Sequence, residues 1–342
     1  MIYTLPSVTV SSSDHRSLRR RELLTGAVRA ESPYWIRVHR RAMACRFEVT
    51  LSGEDVGAIG VAQQALAEAT RLEEQLSVFR DASELTAVNR GAAESPVPIG
   101  PELFDLLQRC RELHDATDGA FDVTSTPLSR CWGFLRRAAR VPDDEALAAA
   151  RALVGSTHVC LDSARRTVSF GRRGMELNLG SIGKGYAVQC IADRLKRAGL
   201  RHALVSAGGS SVYALGRRGP WPITLVSRRV SQRPIARLSL RHGAMATSGN
   251  GEQFVDGEGK RYGHVLDPRT GWPAQGLASV TVITSDAASA DALATGFLVG
   301  GESLVRRYCA EQPGTMVVLA PEDGAGRTTV IGEYAGVEVE EL

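Results

Sequence analysis

An interleaved α+β fold, with mixed or antiparallel sheets and helices flanking them, is what this sequence predicts, and three observations carry the expectation. Short runs rich in β-branched and aromatic residues recur between Tyr34 and Leu319. Between them lie longer stretches whose apolar residues fall at helical spacing. Neither an internal repeat nor a long linker divides the 342 residues, so one large core is the economical arrangement.

Residues 1–34 read as a mostly disordered extension and residues 35–342 as a single domain. Tyr34 to Leu51 alternates as a strand does, with a bend near Met43–Cys45. Glu54 to Val78 places Ala62, Ala65, Leu66, Ala69, Leu72 and Leu76 on one helical face. LSVFRDASELTAVNRG reads as turn-rich, and Pro101 opens a further helix that runs to about Ala116. Asp118-Gly119-Ala120-Phe121-Asp122 breaks it. A short helix over Asp143–Leu153 then precedes strands at Thr157–Leu161, Arg166–Phe170 and Met175–Leu179. A helix from about Tyr186 follows, then a strand–Gly–Gly–strand unit and an antiparallel pair at Pro222–Ser227 and Ile235–Leu240. The last third holds a strand at Ala278–Thr284, a helix after it, a second helix near Leu304–Cys309 and a strand near Thr315–Leu319.

With 43% hydrophobic and 23% charged residues the composition is that of an ordinary soluble globular protein. A net charge of +3, much of it from the first 41 residues, argues against nucleic acid as a partner. Six scattered cysteines without a C-x-x-C pair favour buried free thiols in a reducing compartment. No run approaches the ~18 apolar residues of a membrane span. Arg19-Arg20-Arg21-Glu22-Leu23-Leu24 faintly matches a twin-arginine export signal, but the apolar stretch after it is shorter than the ~7–15 residues an h-region needs. The expected location is therefore cytoplasmic, or periplasmic if that stretch is a degenerate export signal.

The chemistry concentrates at MELNLGSIGKGYAVQCIADRL. Gly180, Gly183 and Gly185 permit a sharp turn and a close ligand approach between a strand and a helix that carries Lys184. Free N–H groups and an ammonium at one point make an anion site, most simply for a phosphate or pyrophosphate. The stretch is neither GxGxxG nor a Walker A loop, since Gly185 follows Lys184. A plain strand–helix junction explains it equally well.

Three polar islands follow. Asp291 and Thr295 are an i, i+4 pair among small alanines, and a carboxylate and hydroxyl with space around them suit a hard cation such as Mg²⁺. On these two residues alone a helix-dipole Asp and a back-bonding Thr is the stronger explanation. His264 precedes a D-P-R-T-G turn that would hold it at a strand end beside a cleft, where a neutral imidazole is a natural general base. A lone histidine is more often structural, and Asp267-Pro268-Arg269 is best read as a turn with a local ion pair. Ser248, in T-S-G-N, has no base at a recognisable spacing, so a serine nucleophile is not supported.

Taken together and in order, AMACRFEV, LSVFRDASEL, TDGAFDVT with PLSRCWGF, LNLGSIGKGYAV, ALVSAGGS, ATSGN, HVLDPRTGWP and SVTVITSDAASADALAT resemble the ApbE family, the FAD:protein FMN transferases. The resemblance runs from about Ala42 to Gly300. It implies a T-fold-related architecture that binds FAD and uses Mg²⁺ to transfer FMN onto a Thr or Ser hydroxyl of an acceptor protein with a D-x-x-[ST]-G-A-[ST]-like motif, releasing AMP. By position it implies a metal site at Ser181, Asp291 and Thr295. FAD contacts would come from Met43, Phe79, Ala120, Phe121, Asp122, Asn178, Lys184 and Val265, and His264 would be the catalytic base.

Several positions depart from the family pattern. Asn178 stands where Asp is common, Ser181 and Gly183 where Gly and Ala are usual, Met43-Ala44-Cys45 for Met-Gly-Thr, and Ser210 after the Gly pair for Asp or Asn. None removes the metal pair or the histidine. The sequence leaves open a pyrophosphatase that gives FMN and AMP with water as acceptor, although an aromatic Phe79 over the flavin would disfavour water. It also leaves open a non-catalytic FAD-binding protein.

Overall fold

The computed structural model describes residues 7–11, 34–136, 139–226, 234–251, 253–257, 260–322 and 328–341. In chain order the strands and helices begin with β1 (Ser7–Ser11), β2 (Trp35–Ala42), β3 (Cys45–Ser52), α1 (Ile59–Leu76), α2 (Glu84–Gly91), β4 (Val97–Pro98) and α3 (Pro101–Ala116). They continue with α4 (Thr126–Cys131), α5 (Asp144–Arg151), β5 (Val159–Asp162), β6 (Thr167–Phe170), α6 (Gly183–Arg197), β7 (His202–Ala207), β8 (Ser211–Gly216), β9 (Trp221–Val226) and β10 (Pro234–Leu240). The last are β11 (His242–Gly249), β12 (Phe254–Gly257), β13 (Lys260–Gly263), β14 (Leu277–Thr284), α7 (Ala287–Glu311), β15 (Met316–Pro321), β16 (Thr329–Gly332) and β17 (Val337–Glu341).

One nine-stranded sheet, in the order β1-β2-β3-β7-β8-β11-β14-β15-β16, organises the rest. All its pairings are antiparallel except β1 with β2. Period-two alternation sends its residues to two different cores. Ala203, Val205, Tyr213, Leu215, Ala244, Ala246, Val280 and Val282 face the helical layer of α1, α6 and α7. Their neighbours Leu204, Val212, Ala214, Met245 and Ile283 face the small β17-β10-β9 sheet, with Trp221, Ile223 and Leu238. Covered on both sides, β7 and β8 are buried at every position and read as continuous apolar runs for that reason. A third cluster, built on Leu128, Trp132, Phe134, Leu147 and Tyr262, lies beneath the His264 segment.

The expected α+β architecture with antiparallel sheets and flanking helices is present, and four local expectations need correction. The single bent strand from Tyr34 to Leu51 is a hairpin, with Ala42 paired to Cys45 across a two-residue turn. Met43 and Ala44 occupy that turn at φ of 49° and 56°, the left-handed conformation that such tight hairpins demand. The turn-rich stretch contains α2, because Ser83 Oγ accepts the Thr86 amide at 3.0 Å as an N-cap. Met175–Leu179 is extended but belongs to no sheet. Instead the Asn89 side chain brackets Leu177, donating to its carbonyl at 2.9 Å and accepting its amide at 2.8 Å, while Asn178 N donates to Val123 O. The following helix starts at Gly183 rather than Tyr186.

Within the stretch expected to be an extension, Ser7–Ser11 pairs with β2, and Arg19–Leu24 lies outside the described residues. The six cysteines are free, as expected, but only Cys110 is buried and Cys160 is exposed. Among the described residues no helix is long and apolar enough to cross a membrane.

Candidate active site

The glycine turn and α7 meet in contact. Gly185 N donates to Asp291 Oδ2 at 2.9 Å, and Ser211 Oγ, at the start of β8, donates to Oδ1 at 3.1 Å. Gly185 is therefore glycine because α6 and α7 touch there, not to admit a ligand. A Cβ would overlap the Ala287 carbonyl oxygen and lie 2.6 Å from Asp291 Cβ. Nor are the other turn amides all free for an anion, since Gly183 N donates to Leu179 O at 2.7 Å and Gly180 N to Asn178 Oδ1 at 2.9 Å. Lys184 reaches back to Gly180 O at 3.4 Å, which sets its ammonium over the turn.

One turn along α7, Thr295 Oγ1 lies 3.0 Å from Ser248 Oγ and 3.4 Å from Asp291 O. The back-bond expected of an ordinary helical threonine is thus present, and so is a second hydroxyl from β11. Asp291 is only 4% exposed, and among the described residues no ion pair neutralises it. Burying a carboxylate without a cation costs far more than two neutral hydrogen bonds return. Among the described residues no cluster of three His, Cys, Asp or Glu could take a metal. The donor set is accordingly one carboxylate, the hydroxyls of Thr295 and Ser248, and the Ser181 segment. That set fits Mg²⁺, which keeps several waters and binds through one or two carboxylates plus substrate phosphate.

His264 follows β13 directly, and its loop is fixed from below. Trp132 stacks on Phe134 at 6.2 Å and meets Trp272 edge-on at 5.5 Å. Its Nε1 donates to Gly271 O at 2.9 Å. The D-P-R-T-G turn closes through Gly271 N to Asp267 O at 2.8 Å, and Arg269 pairs with Asp267 at 2.8 Å, the local ion pair expected there. Phe134 stands edge-on to the imidazole at 6.5 Å.

Asp122 closes the opposite wall. Its buried carboxylate accepts Thr124 N, Thr124 Oγ1, Ser156 N and Ser156 Oγ at 2.6–3.0 Å and pairs with His114 Nδ1 at 3.3 Å. Burial acts to raise its pKa, but the donors from His114, Thr124 and Ser156 outweigh it and hold the group below the usual range. The same contact raises His114. Asp122 thus shapes the segment that brings Ala120 and Phe121 to the wall.

These pieces enclose a cleft of about 310 Å³, in which Ala120 to Asp122, Asn178, Ser181, Lys184, His264, Val265, Asp291 and Thr295 all take part. A neighbouring cavity of about 310 Å³ shares Asn178, Gly180 and Lys184 with it and is closed by Met43 and Phe79. Every expected site residue therefore lines one of two adjoining spaces. Phe79 is the exception in character: at 78% exposed it stands on the rim of its cavity. Cys45, beside the turn, has its thiol pushed up to about 11 by burial, with Lys184 pulling the other way. Ser211, Ser248 and Thr126 were not singled out as ligand residues from sequence, because isolated hydroxyl residues on strands and short helices carry no spacing signal.

The chain is similar to known proteins over most of its length. The ApbE family model matches residues 43–319. An FAD:protein FMN transferase of Vibrio cholerae is 33% identical over 261 residues, spanning 74% of this chain and 77% of that protein. Among solved structures, the ApbE protein of Thermotoga maritima superposes with a TM-score of 0.78 at 29% identity, covering 87% of this chain and 97% of that one. The apo flavinyl transferase ApbE of Pseudomonas stutzeri gives 0.75 at 30% identity, covering 87% and 95%. The match takes in the glycine turn, the His264 loop and the Asp291 helix alike, and the chain belongs to the ApbE family.

Proposed function

We propose that this protein is an FAD:protein FMN transferase that moves FMN from FAD to a Thr or Ser hydroxyl of an acceptor protein in a Mg²⁺-dependent reaction. The observation that carries the reading is the convergence of Lys184, Asp291, Thr295 and His264 on one cleft. A cation from α6, an uncompensated carboxylate and a hydroxyl from α7, and an imidazole from the loop after β13 come there from three separate parts of the chain.

In this reading the isoalloxazine occupies the Met43–Phe79 cavity and the diphosphate crosses the shared Asn178–Gly180–Lys184 edge. Lys184 and the N-terminus of α6 supply fixed positive potential to the phosphoryl oxygens. Asp291, Thr295 and the Ser181 segment would hold Mg²⁺, which would supply polarisation of the phosphoryl group and charge stabilisation of the leaving phosphate. His264 takes the proton of the acceptor hydroxyl as its oxygen bonds to the phosphorus on the riboflavin side. The bridging P–O bond breaks and AMP departs with that bond's electron pair. The aromatic platform of Trp132 and Phe134 keeps the imidazole in place, because a general base must stay within hydrogen-bond reach of its proton.

The test is incubation with FAD, Mg²⁺ and a peptide containing D-x-x-[ST]-G-A-[ST], followed by mass spectrometry. A peptide heavier by FMN is expected. Free FMN and AMP with an unmodified peptide would make water the acceptor and reject the transferase reading.

A further inference from the structure

Beside the cleft runs a wider groove of about 810 Å³, in which Phe79 alone has a flavin role and no residue has a metal role. It joins both cavities: Thr126 belongs to its wall and to the cleft, and Phe79 belongs to its wall and to the flavin-side cavity. We infer that this groove docks the acceptor polypeptide as an extended segment, delivering its hydroxyl past Thr126 to His264. The inference rests on the transferase reading and adds where the second substrate lies.

Three features favour a polypeptide here. The first is charge. Arg90 pairs with Asp81 at 2.5 Å, Arg130 with Glu176 at 2.6 Å and Arg173 with Glu94 at 2.7 Å, so each cation of the groove is matched by an acid. A groove so balanced has no excess positive field for a second nucleotide. Exposed pairs of this kind contribute little to stability and open at small cost, which lets charged side chains of a partner exchange into them.

The second is apolar surface. Phe79 is exposed to 78% and lines the groove together with Met175 and Leu135. Aromatic and Arg groups together, here Phe79 with Arg90, Arg130 and Arg173, are what interfaces concentrate.

The third is Thr126. It is 3% exposed, and its hydroxyl has no hydrogen-bond partner among the described residues. A buried hydroxyl left so is costly, and the cost is removed when a ligand supplies the missing partner. Its position where groove and cleft meet is where a peptide backbone entering the site would pass.

The experiment measures docking apart from chemistry. A fluorescein-labelled peptide containing D-x-x-[ST]-G-A-[ST] is titrated with the full-length protein and FAD in EDTA, and binding is read by fluorescence anisotropy. Ala93→Trp, which fills the groove, is expected to weaken peptide binding by about tenfold or more while FAD affinity changes by less than about twofold. Arg173→Glu, on the exposed rim and safe for folding, is expected to weaken the peptide by roughly threefold or more. Unchanged peptide affinity in both variants, or no peptide binding to the wild type, would overturn the inference. Peptide that binds and responds to both variants yet never gains FMN keeps the docking groove and removes the transferase chemistry.

Discussion

Gly185 and Asp291 are joined by a 2.9 Å hydrogen bond across a contact that leaves no room for a side chain. The pair fixes the separation of α6 and α7, and hence the position of the carboxylate relative to Lys184. Gly185→Ala must push the helices apart against backbone at Ala287, so it should cost about 1–3 kcal/mol or more, as overpacking does. A urea melt read alongside a Mg²⁺ titration checks this, and both stability and metal affinity should fall.

Asp291→Ala keeps the helix but removes the buried charge. Calorimetry should then detect no specific Mg²⁺ binding. Without Mg²⁺, release from the buried charge should offset the loss of the Gly185 and Ser211 hydrogen bonds, so the metal-free variant should be no less stable than the metal-free wild type in a urea melt. Wild-type levels of activity in a chelator would contradict the assignment.

His264→Ala should leave FAD affinity nearly unchanged while reducing turnover by about 10²–10⁴-fold, the usual effect of losing a general base. Equilibrium dialysis with FAD and a single-turnover assay separate the two effects. Equal turnover in variant and wild type would assign the proton to another group.

Asp122 gathers five donor contacts in a buried position. Asp122→Ala should therefore cost about 3–5 kcal/mol, the penalty for breaking a buried pair from one side. The pair has a pH window. The Asp122 contribution is present above its unfolded pKa and is lost as pH falls through its lowered folded value. The His114 contribution, from a raised pKa, is full below the unfolded value and is lost as pH rises through the folded one. Denaturant melts across pH, with and without the substitution, measure both limbs.

His202 is 8% exposed and lies against Trp221, with ring centroids 4.7 Å apart. Burial, aided by Arg218 and opposed by Asp55 and Glu54, lowers its pKa. The neutral ring thus stabilises the fold above the unfolded pKa, and that stability is lost as pH falls through the folded value, at a slope of up to about 1.4 kcal/mol per pH unit. His242 is lowered as well, by burial and then Lys196, and acts in the same sense. His202→Phe should flatten the acid limb of a stability–pH curve followed by tryptophan fluorescence. An unaltered limb would leave His202 without a role in it.

The site was legible wherever residue type and local order carry the information. Lys184 after a glycine turn, the i, i+4 pair Asp291 and Thr295, and His264 ahead of D-P-R-T-G all line one cleft, although their local patterns alone have plainer explanations and it is the ordered family resemblance that ties them together. What escaped depends on contacts between distant segments. Met175–Leu179 looks like a strand because it is apolar, but its hydrogen bonds go to Asn89 and Val123, which no local pattern reveals. Gly185 looks like a ligand-facing glycine until α7 is seen against it. Ser211 became a partner of Asp291 only because β8 runs beneath α7. The helix α2 was hidden because its eight residues offer little periodicity, and Ser83 was the cue.

The carboxylate at Asp291 is gripped by an amide 106 positions earlier in the chain and a hydroxyl 80 positions earlier. No fragment of the protein can assemble that grip by itself, because its parts are brought together only when the sheet has closed and both helices lie on it. Late long-range closure of this kind is slow compared with forming local turns. If the site takes a divalent ion as proposed, partly folded chains would not hold it, and the competent site would exist only in molecules whose architecture is complete.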